Sequence, residues 1–210
     1  MSLIDPGILR LYLVTDPVLC GERGVYETCR QALAAGVRTV QLRDKTASTR
    51  SLIRLSLRLA SLCRQHGALF IINDRVDVAL AADAGGVHLG KDDMPVGTAR
   101  KILGPAAVIG TSVRSCEEAR RAEAQGADYL AANLVFATDT KQDIEGPLGM
   151  EGVGELRRAS ELPLIAIGGI KPSNTAEVLK AGADGIAVVS AIMAADDVEA
   201  AVEQFRRIVG

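Results

Sequence analysis

Gln41, Arg43 and Lys45 are spaced two residues apart, so in an extended strand their side chains share one face while Leu42 and Asp44 take the other. Two cations on one face at the end of an apolar run suit a diphosphate; the alternative is a salt-bridged surface patch. Asp74 and Asp93 also follow apolar runs, in Asn73-Asp74-Arg75 and in His88-Leu89-Gly90-Lys91-Asp92-Asp93. Beside a cationic cluster, two carboxylates can hold Mg²⁺ against a diphosphate, because that ion takes one or two carboxylates and fills its shell with phosphate oxygens and water. Each aspartate also precedes a helical stretch, so a helix N-cap is the competing role. Gly168-Gly169, with Lys171-Pro172 and a helical stretch behind it, makes a small-residue loop whose amides can face a phosphate. Gly185 through Ser190 would complete that second site. One anion site built on metal and charge and another built on backbone donors imply two phosphorylated ligands.

These residues need a frame that brings strand ends together. One pattern recurs along the chain: an Ala-rich helical stretch, a Gly, then a short β-branched or apolar run. It appears as Ala34-Ala35-Gly36 before Thr39–Leu42, His66-Gly67 before Leu69–Ile72, and Asp83-Ala84-Gly85-Gly86 before Val87–Leu89. It returns as Gln125-Gly126 before Tyr129-Leu130 and Ala181-Gly182 before Gly185–Val189. Gly after a helix supplies the left-handed residue that ends it. The runs lack alternation, as parallel strands buried on both faces do. Leu11–Thr15, Val108–Ser112 and Leu164–Ile167 bring the strands to eight, with helical patterns between them, such as Leu52–Arg64, Glu117–Gln125, Thr175–Lys180 and Val198–Ile208. The reading is an α/β fold: a (β/α)8 TIM barrel in one domain spanning residues 1–210, with an open doubly wound sheet as the alternative. In such a barrel the site lies at the C-terminal strand ends, where the polar residues cluster.

Composition narrows the partners. The chain has 210 residues, 48% hydrophobic and 24% charged, with a net charge of -2. That balance argues against disorder and against a general nucleic-acid surface. No apolar run approaches the ~18 residues of a membrane span, and the N-terminus carries no basic-then-apolar signal. Cys20, Cys29, Cys63 and Cys116 are scattered without metal-ligand spacing, which fits reduced thiols in the cytoplasm. The expected partners are small molecules, not nucleic acid or a membrane, and a homo-oligomer is compatible.

At these same residues the sequence resembles the thiamine phosphate synthase family over nearly the whole chain. The matching stretches are Leu11–Asp16, the Gln41/Arg43/Lys45 triplet, Ile71–Asp77, His88-Leu89-Gly90 with Asp93, and Gly110 with Ser112. They continue with Thr138-x-Thr140-Lys141, Ile167–Ile170 and Val188–Ile192. The resemblance implies a Mg²⁺-dependent transferase of thiamine biosynthesis. The thiazole nitrogen of 4-methyl-5-hydroxyethylthiazole phosphate would displace diphosphate from the methylene carbon of 4-amino-2-methyl-5-hydroxymethylpyrimidine diphosphate. The diphosphate would leave first, and the thiazole would capture a pyrimidine-stabilised cation. By the same resemblance Asp74 and Asp93 hold Mg²⁺, while Arg43, Lys45, Asn73, Ser112 and Lys141 bind the diphosphate. Gln41 would contact the pyrimidine. Thr138, Thr140, Gly168 or Gly169, Val189 and Ser190 would hold the thiazole phosphate.

Three departures stand out. Lys91 replaces a usual Gln, Arg114 replaces a usual His, and Ala131-Ala132-Asn133-Leu134 replaces a Gly-x-Gly-Pro turn. Asn133 is expected to reshape the pocket without displacing either phosphate site. A sister family of thiazole tautomerases shares Phe136–Asp139, but its proton transfer wants a group titrating near neutrality, which Arg114 is not. A barrel that only binds thiazole phosphate, as a regulator, is the non-catalytic alternative. Asp139–Gly149, polar and rich in Gly and Pro, is expected to act as a lid.

Overall fold

The eight runs pair as read. The computed structural model describes residues 4–137 and 146–210, and its strands form a closed parallel barrel in chain order. They are β1 (Leu11–Val14), β2 (Thr39–Leu42), β3 (Leu69–Asn73), β4 (Gly86–Leu89), β5 (Val108–Val113), β6 (Tyr129–Asn133), β7 (Leu164–Ile167) and β8 (Gly185–Val188). Closure comes from β1 pairing with both β2 and β8, with Val14 beside Gln41 and Leu13 beside Val188. The open-sheet alternative is thereby excluded.

Around the strands lie α1 (Gly24–Ala34), α2 (Thr49–Gln65), α3 (Val76–Ala81), α4 (Val96–Leu103), α5 (Cys116–Ala124), α6 (Gly149–Ala159), α7 (Pro172–Lys180), α8 (Ser190–Met193) and α9 (Val198–Val209). Local signals fix their ends. Ser48 Oγ accepts the Ser51 amide at the start of α2, and Asp197 Oδ1 accepts the Ala200 amide at the start of α9. Gly67 follows α2 with φ of 60°, a turn most side chains would strain. Helix α9 buries Val198, Val202, Phe205 and Val209, a stripe at helical spacing. Each such side chain contributes roughly 1.5–3 kcal/mol on burial.

Two apolar clusters result. The larger lies between strands and helices and takes the outward residues, such as Val40, Leu42, Ile72, Val87 and Leu130. The smaller fills the barrel's lower interior with Ile4, Leu9, Tyr12, Val14, Ile71, Val108, Tyr129, Ile165 and Ala187. Inward residues above this plug are free to be polar, which is where the site forms. Among the described residues no helix is long and apolar enough to cross a membrane.

Candidate active site

Alternation along each strand decides what enters the barrel mouth. On β2, Gln41 and Arg43 face a cavity of about 880 Å³, while Leu42 packs outward and Asp44 accepts the Thr46 and Ala47 amides in its own turn. The same alternation brings Asn73 from β3, His88 from β4, Ser112 from β5, Ala131 and Asn133 from β6 and Ile165 and Ile167 from β7 into the lining. Gly168, Gly169, Val189 and Ser190 line the β7–β8 side. Of the residues implicated from sequence, Gln41, Arg43, Asn73, Ser112, Gly168, Gly169, Val189 and Ser190 therefore share one cavity. Thr138, Thr140 and Lys141 lie outside the described residues, as does most of the segment expected to act as a lid.

Lys45, Asp74 and Asp93 form a cluster of their own at the ends of β2–β4. Lys45 Nζ sits 2.7 Å from Asp74 Oδ2, and the two carboxyls are hydrogen-bonded to each other. Burial raises the Asp74 carboxyl, but the bonds from Asp93 and Lys45 outweigh it and hold the group below its ordinary value. Asp93 goes the other way: burial first, then Asp74, push its carboxyl up. Ionised together, two carboxylates crowded this way would carry more negative charge than one lysine offsets. The hard oxygen donors fit Mg²⁺, and the ion would relieve the crowding. Neither aspartate caps a helix: Arg75 and Pro95 hold the N-cap positions of α3 and α4. Asp93 Oδ2 instead accepts the Gly90 amide at 2.7 Å, and Asp74 has a φ of 63°. The N-cap role weighed for both aspartates is absent. Among the described residues no group of three or more His, Cys, Asp or Glu gathers as a metal cluster, so the rest of the ion's shell would come from phosphate and water.

The β7–β8 side is built from backbone. Gly168 and Gly169 turn with φ of 100° and 63°. A Cβ on Gly169 would come within 2.7 Å of Phe136 Cβ and 2.8 Å of Ala137 O, and one on Gly168 would overlap Leu134. Asn174 locks the loop, donating from Nδ2 to Gly169 O at 3.0 Å and accepting the Lys171 amide at 2.8 Å. Beside it, β8 runs into the short helix α8, an arrangement that barrels commonly use for a phosphate.

Sequence reasoning missed a buried chain of hydrogen bonds across the floor of the cavity. Gln41 Nε2 donates to Tyr12 Oη at 2.7 Å, and Tyr12 Oη lies 2.9 Å from Tyr129 Oη. Tyr129 Oη meets His88 Nδ1 at 3.0 Å, and His88 Nε2 meets Ser112 Oγ at 3.0 Å. Asn133 Nδ2 approaches the same serine at 3.4 Å. The His88 and Tyr129 rings stack with centroids 5.6 Å apart, and Gly110 leaves the room that the Tyr129 ring occupies. Burial raises both phenols, Tyr129 also through Tyr12, so both stay protonated and serve as fixed dipoles. The signal available in the sequence was alternation: Tyr12 and Tyr129 occupy inward positions of their strands.

Of the departures, Asn133 and Leu134 line the cavity and are joined by a cis peptide bond. Leu134 packs against the glycine loop. Arg114 donates to the Asn133 carbonyl at 2.8 Å, so two departures touch each other.

The sequence profile described as thiamine monophosphate synthase matches residues 11–192. A thiamine-phosphate synthase from Moorella thermoacetica is 46% identical over 199 residues, covering 95% of either chain. The one from Chloroflexus aurantiacus is 49% identical over 200 residues, covering 95% of this chain and 92% of the relative. Among solved structures, a thiamine phosphate pyrophosphorylase from Pyrococcus furiosus superposes with a TM-score of 0.89 at 46% identity. That match covers 97% of this chain and 96% of the other.

Proposed function

The chain belongs to the thiamine monophosphate synthase family, and from that premise we propose how its cavity joins a pyrimidine diphosphate to a thiazole phosphate. The observation that carries the reading is the division of one mouth between charged side chains on β2–β4 and backbone donors on β7–β8. Arg43, Lys45, Asn73, Ser112 and Lys141 bind the diphosphate, and Gln41 meets the pyrimidine. Thr138, Thr140, Gly168, Gly169, Val189 and Ser190 hold the thiazole phosphate. Mg²⁺, held by Asp74 and Asp93, supplies positive charge to the departing diphosphate.

The reaction breaks the bond from the methylene carbon to the diphosphate oxygen and forms one from that carbon to the thiazole nitrogen. Negative charge grows on the leaving group, where preorganised donors such as Arg43 and the Ser112 hydroxyl stabilise it best. Positive charge grows on the pyrimidine, which the apolar walls Leu134, Ile165, Ile167 and Ala187 shield from water. The nitrogen carries no proton, so no general base is needed. Arg114 disfavours the tautomerase reading, because a guanidinium cannot act as a general base; it donates to the Asn133 and Gly146 carbonyls. Four free cysteines, three of them buried, agree with a cytoplasmic home.

Incubation of the protein with both substrates and Mg²⁺ should yield thiamine phosphate and pyrophosphate in equal amounts. Binding of the thiazole phosphate without any product, at any Mg²⁺ concentration, would leave only the non-catalytic binder.

A further inference from the structure

Arg114 stands in the turn between β5 and α5, two residues beyond Ser112. Its own backbone is held there: the Arg114 amide donates to Glu118 Oε2 at 2.7 Å, and Ser115 Oγ accepts the Glu118 amide. From this anchor the side chain reaches the connection between β6 and α6. Nη1 donates to Asn133 O at 2.8 Å, and Nη2 donates to Gly146 O at 2.7 Å. Those carbonyls stand near opposite ends of the connection. Two backbone bonds close the same base: the Leu148 amide donates to Leu134 O at 2.8 Å, and the Gly149 amide donates to Val135 O at 3.0 Å. The fork of one guanidinium therefore spans the start and the end of a long connection.

We propose that Arg114 is a positioning residue that pins the two ends of the β6–α6 connection together and so holds Asn133 in place beside Ser112. It acts through backbone carbonyls rather than by touching a ligand. Asn133 is the first link, since its carbonyl takes Arg114 Nη1 while its side chain faces Ser112 Oγ across 3.4 Å. Ser112 is the second, with its hydroxyl also against His88 Nε2. A planar, permanently charged fork suits the task, because its diverging donors meet two acceptors at once. A lysine in its place offers one compact head that cannot repeat this geometry. The link to catalysis rests on the proposed contact of Ser112 with the diphosphate; the pinning itself does not.

The test compares Arg114→Ala and Arg114→Lys with the unaltered protein. Amide exchange should speed up at Leu148 and Gly149 by about tenfold in both variants, because opening of the base becomes easier, while Thr111 in β5 keeps its protection. The kcat should fall by about tenfold, with a smaller change in KM for the thiazole phosphate. Millimolar guanidinium should restore part of the lost kcat in Arg114→Ala and none in Arg114→Lys. Wild-type protection at Leu148 and Gly149 in both variants would overturn the pinning. Faster exchange with unchanged kcat would overturn the positioning role. Arg114→Lys keeps the charge and the aliphatic stem, so it gives a reading even where the alanine variant folds poorly. Ser112→Ala separates the premises: unaltered diphosphate binding there would remove the proposed Ser112 contact and leave the exchange result to stand by itself.

Discussion

The two sides of the barrel mouth, each proposed to take one anion, are built by opposite means. On the β2–β4 side the groups are ionisable side chains that feel one another: Lys45 contacts Asp74, Asp74 contacts Asp93, and the two carboxyls are driven apart in acidity. On the β7–β8 side the donors are backbone amides whose direction is set by two left-handed glycines and braced by Asn174. A single neutralising substitution can silence the first side without moving an atom of the backbone. The second has Lys171 in its lining but rests mainly on its chain path, so a change in that path should disable it. The difference fits the work proposed for each. A leaving diphosphate gains charge during the reaction and calls for strong, coupled charges, whereas a bound monophosphate only has to stay where it is.

The largest expected effect tests the charged side. Asp74→Asn and Asp93→Asn should each lower kcat/KM by about a hundredfold, because metal charge stabilisation is worth several kcal/mol. Mg²⁺ alone should raise the Tm of the unaltered protein and leave both variants unmoved. Unchanged rates with ordinary Mg²⁺ demand would remove the metal from these carboxylates.

Arg43→Ala should come next, raising KM for the pyrimidine diphosphate by about tenfold through loss of a charge-assisted bond, with the thiazole phosphate little affected. Equal weakening of both substrates would mean that the two anions are not divided between the two sides. Gly169→Ala should do the reverse at smaller scale. Its Cβ meets Phe136 and Ala137 at a left-handed position, so KM for the thiazole phosphate should rise about fivefold and stability should fall by about 1–3 kcal/mol. Calorimetric titration with each substrate separates these two outcomes.

The smallest effect concerns β6, which lies between the two sides. Asn133→Gly with Leu134→Pro removes the Asn133 side chain from Ser112 but keeps the carbonyl that Arg114 uses. A fall in kcat of about twofold is expected as Ser112 loses the Asn133 amide beside it, even though the pocket widens. If turnover stays the same while both substrates bind as before, the surroundings have already absorbed the change.

How readily the two sides could be read from the sequence follows from the same contrast. Charges at strand ends announce themselves, since Arg43, Lys45, Asp74 and Asp93 each lie within a few residues of the end of an apolar run, and period-two alternation alone assigns Gln41 and Arg43 to the mouth. The strands were legible throughout; β6 proved longer than Tyr129-Leu130, an extension hidden in the sequence because Ala131 to Asn133 carry little β-branched character. The glycine loop was legible through its pairing with Lys171-Pro172. The Gln41–Tyr12–Tyr129–His88–Ser112 chain was not. Its partners lie up to 117 residues apart, and a tyrosine in an apolar run looks like any core aromatic until the barrel closes. The contacts of Arg114, a residue singled out only as a departure, escaped for a related reason: Asn133 O and Gly146 O are main-chain carbonyls, which carry no residue signature.

The Tyr12–Tyr129 pair also decides the traffic of the molecule. Beneath it Ile4, Leu9 and Val108 fill the barrel, so within the described residues the cavity has a solid base and its door at the other end. Whatever enters past Val18, an apolar residue left 83% exposed at that door, must leave by it. Pyrophosphate and the joined product would then share an exit, and the deeper one would have to wait for the shallower. The bottom of the barrel, which takes no chemical part, would thus bear on the order in which the products leave.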